Sequence, residues 1–240
     1  MTVAVNSTMG VVCVYTPNEE PCRKHRRKFG SRPLLELIVR RLTDCQQLDG
    51  VVVVAGRESG DEAGGSEAVA DLVPAEVPIL WAEQTDLVGQ LNSVLDATGA
   101  TGLVKIDADH PFVDPVLVDR LVTTAQSQRE CDYVGFCFRD GRPVIRSRLG
   151  TFAEWYSADA LRRAEQAATT VEDRHQVTRF LCSHPDRFRL RFIPVPAALE
   201  SGKVWLSVDN HEAWEHAQTM YDWLGHEGLD WDRIAEVMSA

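Results

Sequence analysis

The sequence predicts a mostly parallel α/β sheet with helices on both faces. Two observations carry that expectation. Short β-branched runs alternate with segments of helical period through the first half, and the clearest run, VVVVA at 51–55, is apolar on every residue. A strand that is apolar throughout is covered on both sides, as strands are inside a parallel sheet flanked by crossover helices.

In chain order, Val11 to Tyr15 reads as the first buried strand and Leu34 to Leu42 as an amphipathic helix with its charges on one side. Val51 to Ala55 follows as a strand, and Gly56 to Ser66 as a polar, Gly-rich loop. Pro78 to Trp81 is a short strand, Thr85 to Ala97 a helix, Leu103 to Ile106 a strand, Pro115 to Gln128 a helix and Tyr133 to Phe138 a strand. This β-α-β-α-β-α-β order predicts the parallel sheet, whose ligands sit beyond the carboxyl ends of the strands. Asp107 to Asp109 stands at such an end and is the leading site candidate.

In the second half, Asp140-Gly141 signals a turn between two extended stretches, which predicts a hairpin. Helices are predicted over 158–167 and 171–183, a half-wet strand over 187–193, a strand over 205–208 ending at Asp209, and a helix over 211–224. No repeat and no Pro-, Gly- or Ser-rich linker divides the chain. Residues 1–240 are expected to form one domain, with a hairpin insertion at about 139–149.

The net charge is −11, so the surface as a whole repels polyanions and a nucleic-acid partner is not expected. Arg23-Lys24-His25-Arg26-Arg27-Lys28 is the exception, a compact cationic run. It reads either as a local clamp for a small anion or as a solvated basic turn. The six cysteines show no CxxC spacing, and no apolar run approaches the roughly 20 residues of a membrane helix. With no leader-like pattern at the N-terminus, the expectation is a reducing, cytoplasmic setting away from membranes.

Asp107, Asp109 and Asp114 cluster where strand becomes loop, and Asp209 stands at another predicted strand end. Magnesium takes one or two protein carboxylates beside substrate phosphates, and two converging strand-end aspartates suit it. Asp114, directly before Pro115, reads better as a helix cap. Asp209 could serve the site or merely precede a helix. His110 could line the site or be a polar loop residue. The spacing of His211, His216 and His226 does not make a zinc site.

Several stretches, in order, resemble the cytidylyltransferases that activate acidic sugars, in particular the spore-coat polysaccharide branch. They are Phe29 to Ala55, Asp86-Leu-Val-Gly89, Val104 to Pro115 around Asp109, Cys131 to Val134, Gly150 with Glu154, Arg174-His-Gln-Val-Thr178, His184 to Arg189, and Trp205 to Trp214 around Asp209. The resemblance covers about residues 10 to 224 and implies a Rossmann-like nucleotidyltransferase sheet. It also implies CTP as donor, Mg2+ as cofactor, a small acidic acceptor, and a homodimer formed through the hairpin region. Asp109 and Asp209 fall on that family's metal-binding aspartates. Counting back from Pro33 puts Lys24 near the terminal lysine of its phosphate loop, as a catalytic residue. Arg23, Arg26, Arg27, Lys28, Asp86 and Gly89 fall on the nucleotide and phosphate side, and Glu154, Arg174 and His175 on the acceptor side.

The chain departs from the family's pattern at two places. Tyr15 to Lys28 is shorter than the phosphate loop, lacks its glycines and carries two glutamates, and Phe152 replaces an aspartate on the acceptor strand. Three functions are therefore compared: a CTP-dependent cytidylyltransferase, a catalytically degenerate binding or regulatory protein, and a nucleotide-sugar glycosyltransferase using Asp107-Ala108-Asp109 as a DxD metal motif.

Overall fold

The computed structural model describes the main chain of residues 7–14, 21–56, 69–128, 130–200, 205–225 and 228–239, and the side chains of all of these except 21–23, 146, 238 and 239. In chain order the elements are β1 (Thr8–Val14), α1 (Pro21–Arg26), β2 (Lys28–Phe29), β3 (Arg32–Pro33), α2 (Leu34–Thr43), β4 (Gly50–Gly56), β5 (Ile79–Ala82), α3 (Leu87–Thr98), β6 (Gly102–Asp107), α4 (Pro115–Ser127), β7 (Tyr133–Cys137), β8 (Glu154–Ser157), α5 (Ala158–Ala167), α6 (Val171–His175), α7 (Val177–Ser183), β9 (Leu190–Pro194), α8 (His211–Leu224) and α9 (Trp231–Ser239).

The apolar runs form one seven-stranded sheet in the order β5-β4-β1-β6-β8-β7-β9. Every neighbouring pair is parallel except the two that involve β8, which runs against both β6 and β7. Both faces are covered, as the continuous apolar strands predict. Val12, Val14, Val53 and Ala55 pack on one core with α2, α4 and α8, whereas Val11, Cys13, Val52 and Val54 pack on the other with α3, α5 and α7. Alternate residues of one strand thus serve opposite cores.

Helix starts follow their capping residues. The side chains of Asp86, Asp114, Ser157 and Asn210 accept the amides of Gly89, Leu117, Ala160 and Ala213, each three residues on. These bonds fix the entries of α3, α4, α5 and α8.

The second half differs from expectation at three points. The predicted hairpin at 139–149 is a tight turn, with Phe138 N–H donating to the Arg142 carbonyl and one isolated bridge between Cys137 and Pro143, followed by a 3-10 turn at Val144–Arg146. The predicted helix over 171–183 breaks at Gln176, whose backbone (φ −116°, ψ 65°) leaves the helical region. Residues 205–208 are not a strand. The amides of Leu206 and Ser207 donate to the Arg148 carbonyl and that of Val208 to the Asp109 carbonyl, both in loops, in place of ladder bonds to a strand. No helix among the described residues is long and apolar enough to cross a membrane.

Candidate metal and nucleotide site

β1 pairs with β4 on one side and β6 on the other, so the sheet order reverses there and leaves a crevice beyond the carboxyl ends of β1 and β6. Asp107, the last residue of β6, lies opposite Cys13. The chain then folds back on itself. Ala108 N–H donates to the Cys13 carbonyl at 3.1 Å, and His110 N–H to the Asp107 carbonyl at 3.2 Å. This turn presents Asp109 at the crevice and tucks His110 beneath it, 8% exposed.

Asp107 is fixed from within the sheet. Lys105 Nζ lies 2.6 Å from Asp107 Oδ2 and 3.7 Å from Glu154 Oε2. The register makes this possible, because β8 runs backward and sets Glu154 opposite Lys105. The hydroxyls of Tyr133 and Thr178 donate to Glu154 Oε1, and Tyr156 shares a hydrogen bond with Thr178. Burial alone would lower the Lys105 ammonium, but Asp107 and Glu154 outweigh it and hold its pKa well above the ordinary lysine value. Burial likewise works to raise Asp107, yet Lys105 and then His110 pull it below the usual carboxylate value, so it stays ionised. Burial, with Glu154 alongside, pushes the Tyr133 and Tyr156 phenols well above theirs.

The cationic run reaches the site at one point. Lys24 Nζ lies 3.6 Å from Asp109 Oδ2, with both side chains under a third exposed. Its position follows from the segment after α1, where buried Phe29 packs on Trp214 and Tyr221 of α8 and the β2–β3 pair returns the chain to α2. The remaining cations do not join Lys24. Arg27 lies 3.8 Å over the Trp214 ring, Arg26 faces Asp71 at 4.0 Å, and Lys28 is exposed. The Arg23 side chain, expected to hold phosphate, and the altered loop at 15–20 lie outside the described residues.

Asp209 directly follows Val208, whose amide bonds to the Asp109 carbonyl at 2.9 Å, so the two aspartate backbones run side by side. Capping of α8 falls to Asn210 Oδ1, while the Asp209 carboxylate accepts from Asn210 Nδ2 at 3.2 Å and faces Arg148 at 3.5 Å. Asp209 is not among the residues whose ligand atoms cluster. Among the described residues that cluster is Asp107, Asp109 and His110, all within 4.8 Å of one another. Asp109 Oδ1 and His110 Nδ1 are buried without a hydrogen-bond partner; Oδ1 faces His110 Nε2 at 3.5 Å without hydrogen-bond alignment. An orphaned carboxylate oxygen within a set of oxygen donors and one imidazole fits a divalent ion.

The other predicted residues lie elsewhere. Asp86 caps α3 and pairs with Arg174 at 3.0 Å, and Gly89 lies in the first turn of that helix, where a Cβ would meet Gln84 at 2.7 Å. Asp86 follows β5 at the same carboxyl edge as Asp109, but its carboxylate is spent on the cap and on Arg174. His175 ends α6, partly exposed. Glu154, expected to meet the acceptor, is 1% exposed and satisfied by Lys105, Tyr133 and Thr178, so it is a buried counter-charge. The sequence held a signal for this network that the motif reading passed over: Lys105 sits inside an apolar strand, on the same side as Asp107 two residues on.

A mixed sheet with an acidic turn at its switch point and a lysine closing over it defines a nucleotidyltransferase-type α/β protein. Residues 21–186 match the MobA-like NTP transferase domain, and the chain belongs to that family. It is 22% identical over 205 residues to the spore coat polysaccharide biosynthesis protein SpsF of Bacillus subtilis, covering 83% of this chain and 80% of that protein. A cytidylyltransferase structure from Leptospira borgpetersenii superposes with a TM-score of 0.80 at 16% identity, over 97% of this chain and 93% of that one. A Mycobacterium tuberculosis protein in complex with manganese superposes with a TM-score of 0.59 at 18% identity, over 89% and 98%.

Proposed function

We propose that the chain transfers CMP from CTP to a small acidic acceptor, a sugar acid or sugar-like molecule, and releases pyrophosphate. The approach of Lys24 to Asp109, 3.6 Å apart at the switch point, is the observation that carries this reading. It brings a cation suited to a triphosphate, from α1, and a carboxylate suited to a divalent ion, from the turn after β6, to one place. The cytidylyltransferase named for the Leptospira structure and the polysaccharide role named for the Bacillus relative support the choice of donor and acceptor class.

In this reading Asp109 and Asp209 hold the divalent ion, Mg2+ with Mn2+ as the alternative. The ion would offset charge on the phosphates as the α-phosphorus changes partners. Lys24 takes the triphosphate oxygens. Asp107, held ionised by Lys105, keeps the turn and its two neighbours in place. An acceptor oxygen forms the new bond to the α-phosphorus, the bond to the bridging oxygen breaks, and pyrophosphate leaves with that electron pair. Free, buried thiols such as Cys13, whose pKa burial pushes up to about 12, suit a reducing cytoplasm.

The DxD glycosyltransferase reading is less favoured because it gives no part to Asp209, whose preceding amide, that of Val208, bonds to the Asp109 carbonyl. The test is pyrophosphate release from CTP with Mg2+ or Mn2+ across a panel of acid sugars. Activity with CTP is expected, reduced at least about a hundredfold in Asp109→Ala. Hydrolysis of a nucleotide-sugar with CTP ignored would overturn the assignment.

A further inference from the structure

Each carboxylate at the crevice already has a cation supplied by the chain. Lys105 stands on Asp107, Lys24 on Asp109 at 3.6 Å, and Arg148 on Asp209 at 3.5 Å. The three cations are not alike. Lys105 is 8% exposed and enclosed by its partners, whereas the Lys24 and Arg148 side chains are 29% and 48% exposed. Arg148 has somewhere to go. Its guanidinium already lies 5.2 Å over the ring of Trp205, a half-exposed indole at the rim, and its carbonyl is pinned by the amides of Leu206 and Ser207. The side chain can therefore leave Asp209 while its backbone stays where it is.

We propose that Lys24 and Arg148 are resident counter-cations that close the carboxylate site to a bare divalent ion and open it to a metal–nucleotide complex. On its opening, Lys24 passes to the phosphates and Arg148, steadied on Trp205, passes to the anionic group of the acceptor. The inference rests on the CTP-dependent reading above and deepens it by naming the order of binding and the residue that recognises acceptor charge. The physical reason is competition. A bare ion must displace two like-charged groups and leave them facing it, whereas an ion bound to a triphosphate brings the anions that receive them. Discharging Arg148 from Asp209 is then what makes it available to the acceptor, so acceptor binding follows the nucleotide.

The test is Mn2+ affinity of the full chain, read by electron paramagnetic resonance with and without an α,β-methylene analogue of CTP, in wild type, Lys24→Met and Arg148→Met, each checked for folding by circular dichroism. Wild type is expected to bind bare Mn2+ at least about tenfold more weakly than Mn2+ with the analogue, a difference of roughly 1.4 kcal/mol. Both variants are expected to bind bare Mn2+ more tightly than wild type. Lys24→Met alone is expected to lose affinity for the analogue, while Arg148→Met keeps it and loses affinity for a sugar acid added afterwards. Equal Mn2+ affinity with and without the analogue in wild type, or unchanged bare Mn2+ affinity in both variants, would overturn the inference while leaving CTP transfer standing. Tighter bare Mn2+ in the variants with no analogue binding to any form would uphold the counter-cation role, overturn the binding order and remove the nucleotide reading.

Discussion

Lys105 is an ammonium inside a sheet, and its cost is met by two carboxylates of different standing, the partly exposed Asp107 and Glu154 at 2% exposure. Lys105→Met keeps the aliphatic length and removes the charge, leaving Glu154 buried without its partner. Breaking a buried pair in this way costs about 3–5 kcal/mol, to be read by urea unfolding at neutral pH. The pH dependence follows from the direction of each shift. Lys105 is raised in the folded state, so its contribution is whole below the unfolded lysine value of about 10.4 and fades as pH climbs through the folded one. Asp107 is lowered, so its contribution is whole above about 3.9 and fades as pH falls through the folded value. The penalty of Lys105→Met should therefore shrink as pH falls below about 3.9, where the Asp107 contribution fades. A penalty under about 1 kcal/mol at neutral pH would place Lys105 among ordinary surface pairs.

At the level of elements, the segment 205–208 does the work the sequence assigned to a strand, by another route. Its amides are taken by Arg148 and Asp109, and Gly150 lets it come close: Gly150 has φ +63°, and a Cβ there would stand 2.5 Å from Ser207 N. Gly150→Ala is expected to lower stability by about 1–3 kcal/mol and to weaken Mn2+ binding in the presence of CTP, because the strain is relieved by moving Asp209. Unchanged Mn2+ affinity alongside a lowered melting temperature would separate the segment from the site. This region also marks where the sequence stopped being readable. Helices 158–167 and 211–224 were legible to the residue because Ser157 and Asn210 cap them locally. The place of Asp109 beside the crevice was legible because it stands two residues past the end of an apolar strand, at the ligand edge. Trp205 to Val208 carries an apolar character like that of a strand, and only long-range bonding decides that it is not one. Arg148 on Asp209 and Glu154 facing Lys105 depend on chain pairings far apart in sequence, which no local pattern carries.

Across the whole molecule, the crevice draws on β1, β6, α1 and the loop before α8, so a ligand there ties together parts that are distant along the chain. CTP with Mn2+ at a hundredfold excess over its Kd is expected to raise unfolding stability by roughly 2.7 kcal/mol, visible as an upward shift in Tm that is lost in Asp109→Ala. No shift with any nucleoside triphosphate and either metal would favour the degenerate binding protein. The reversal of β8 reaches further than the register it sets. Because β7 finishes and β8 begins at one edge, the whole connection between them, residues 138–153, stays on the side where ligands enter and never has to cross beneath the sheet. That stretch carries Arg148 and Gly150, and its exposed turn at Arg139 to Arg142 can be lengthened or recast while Val144, Leu149, Phe152 and Ala153 stay in the core. Exchange of this one loop between relatives is therefore the natural place to look for inherited changes of acceptor.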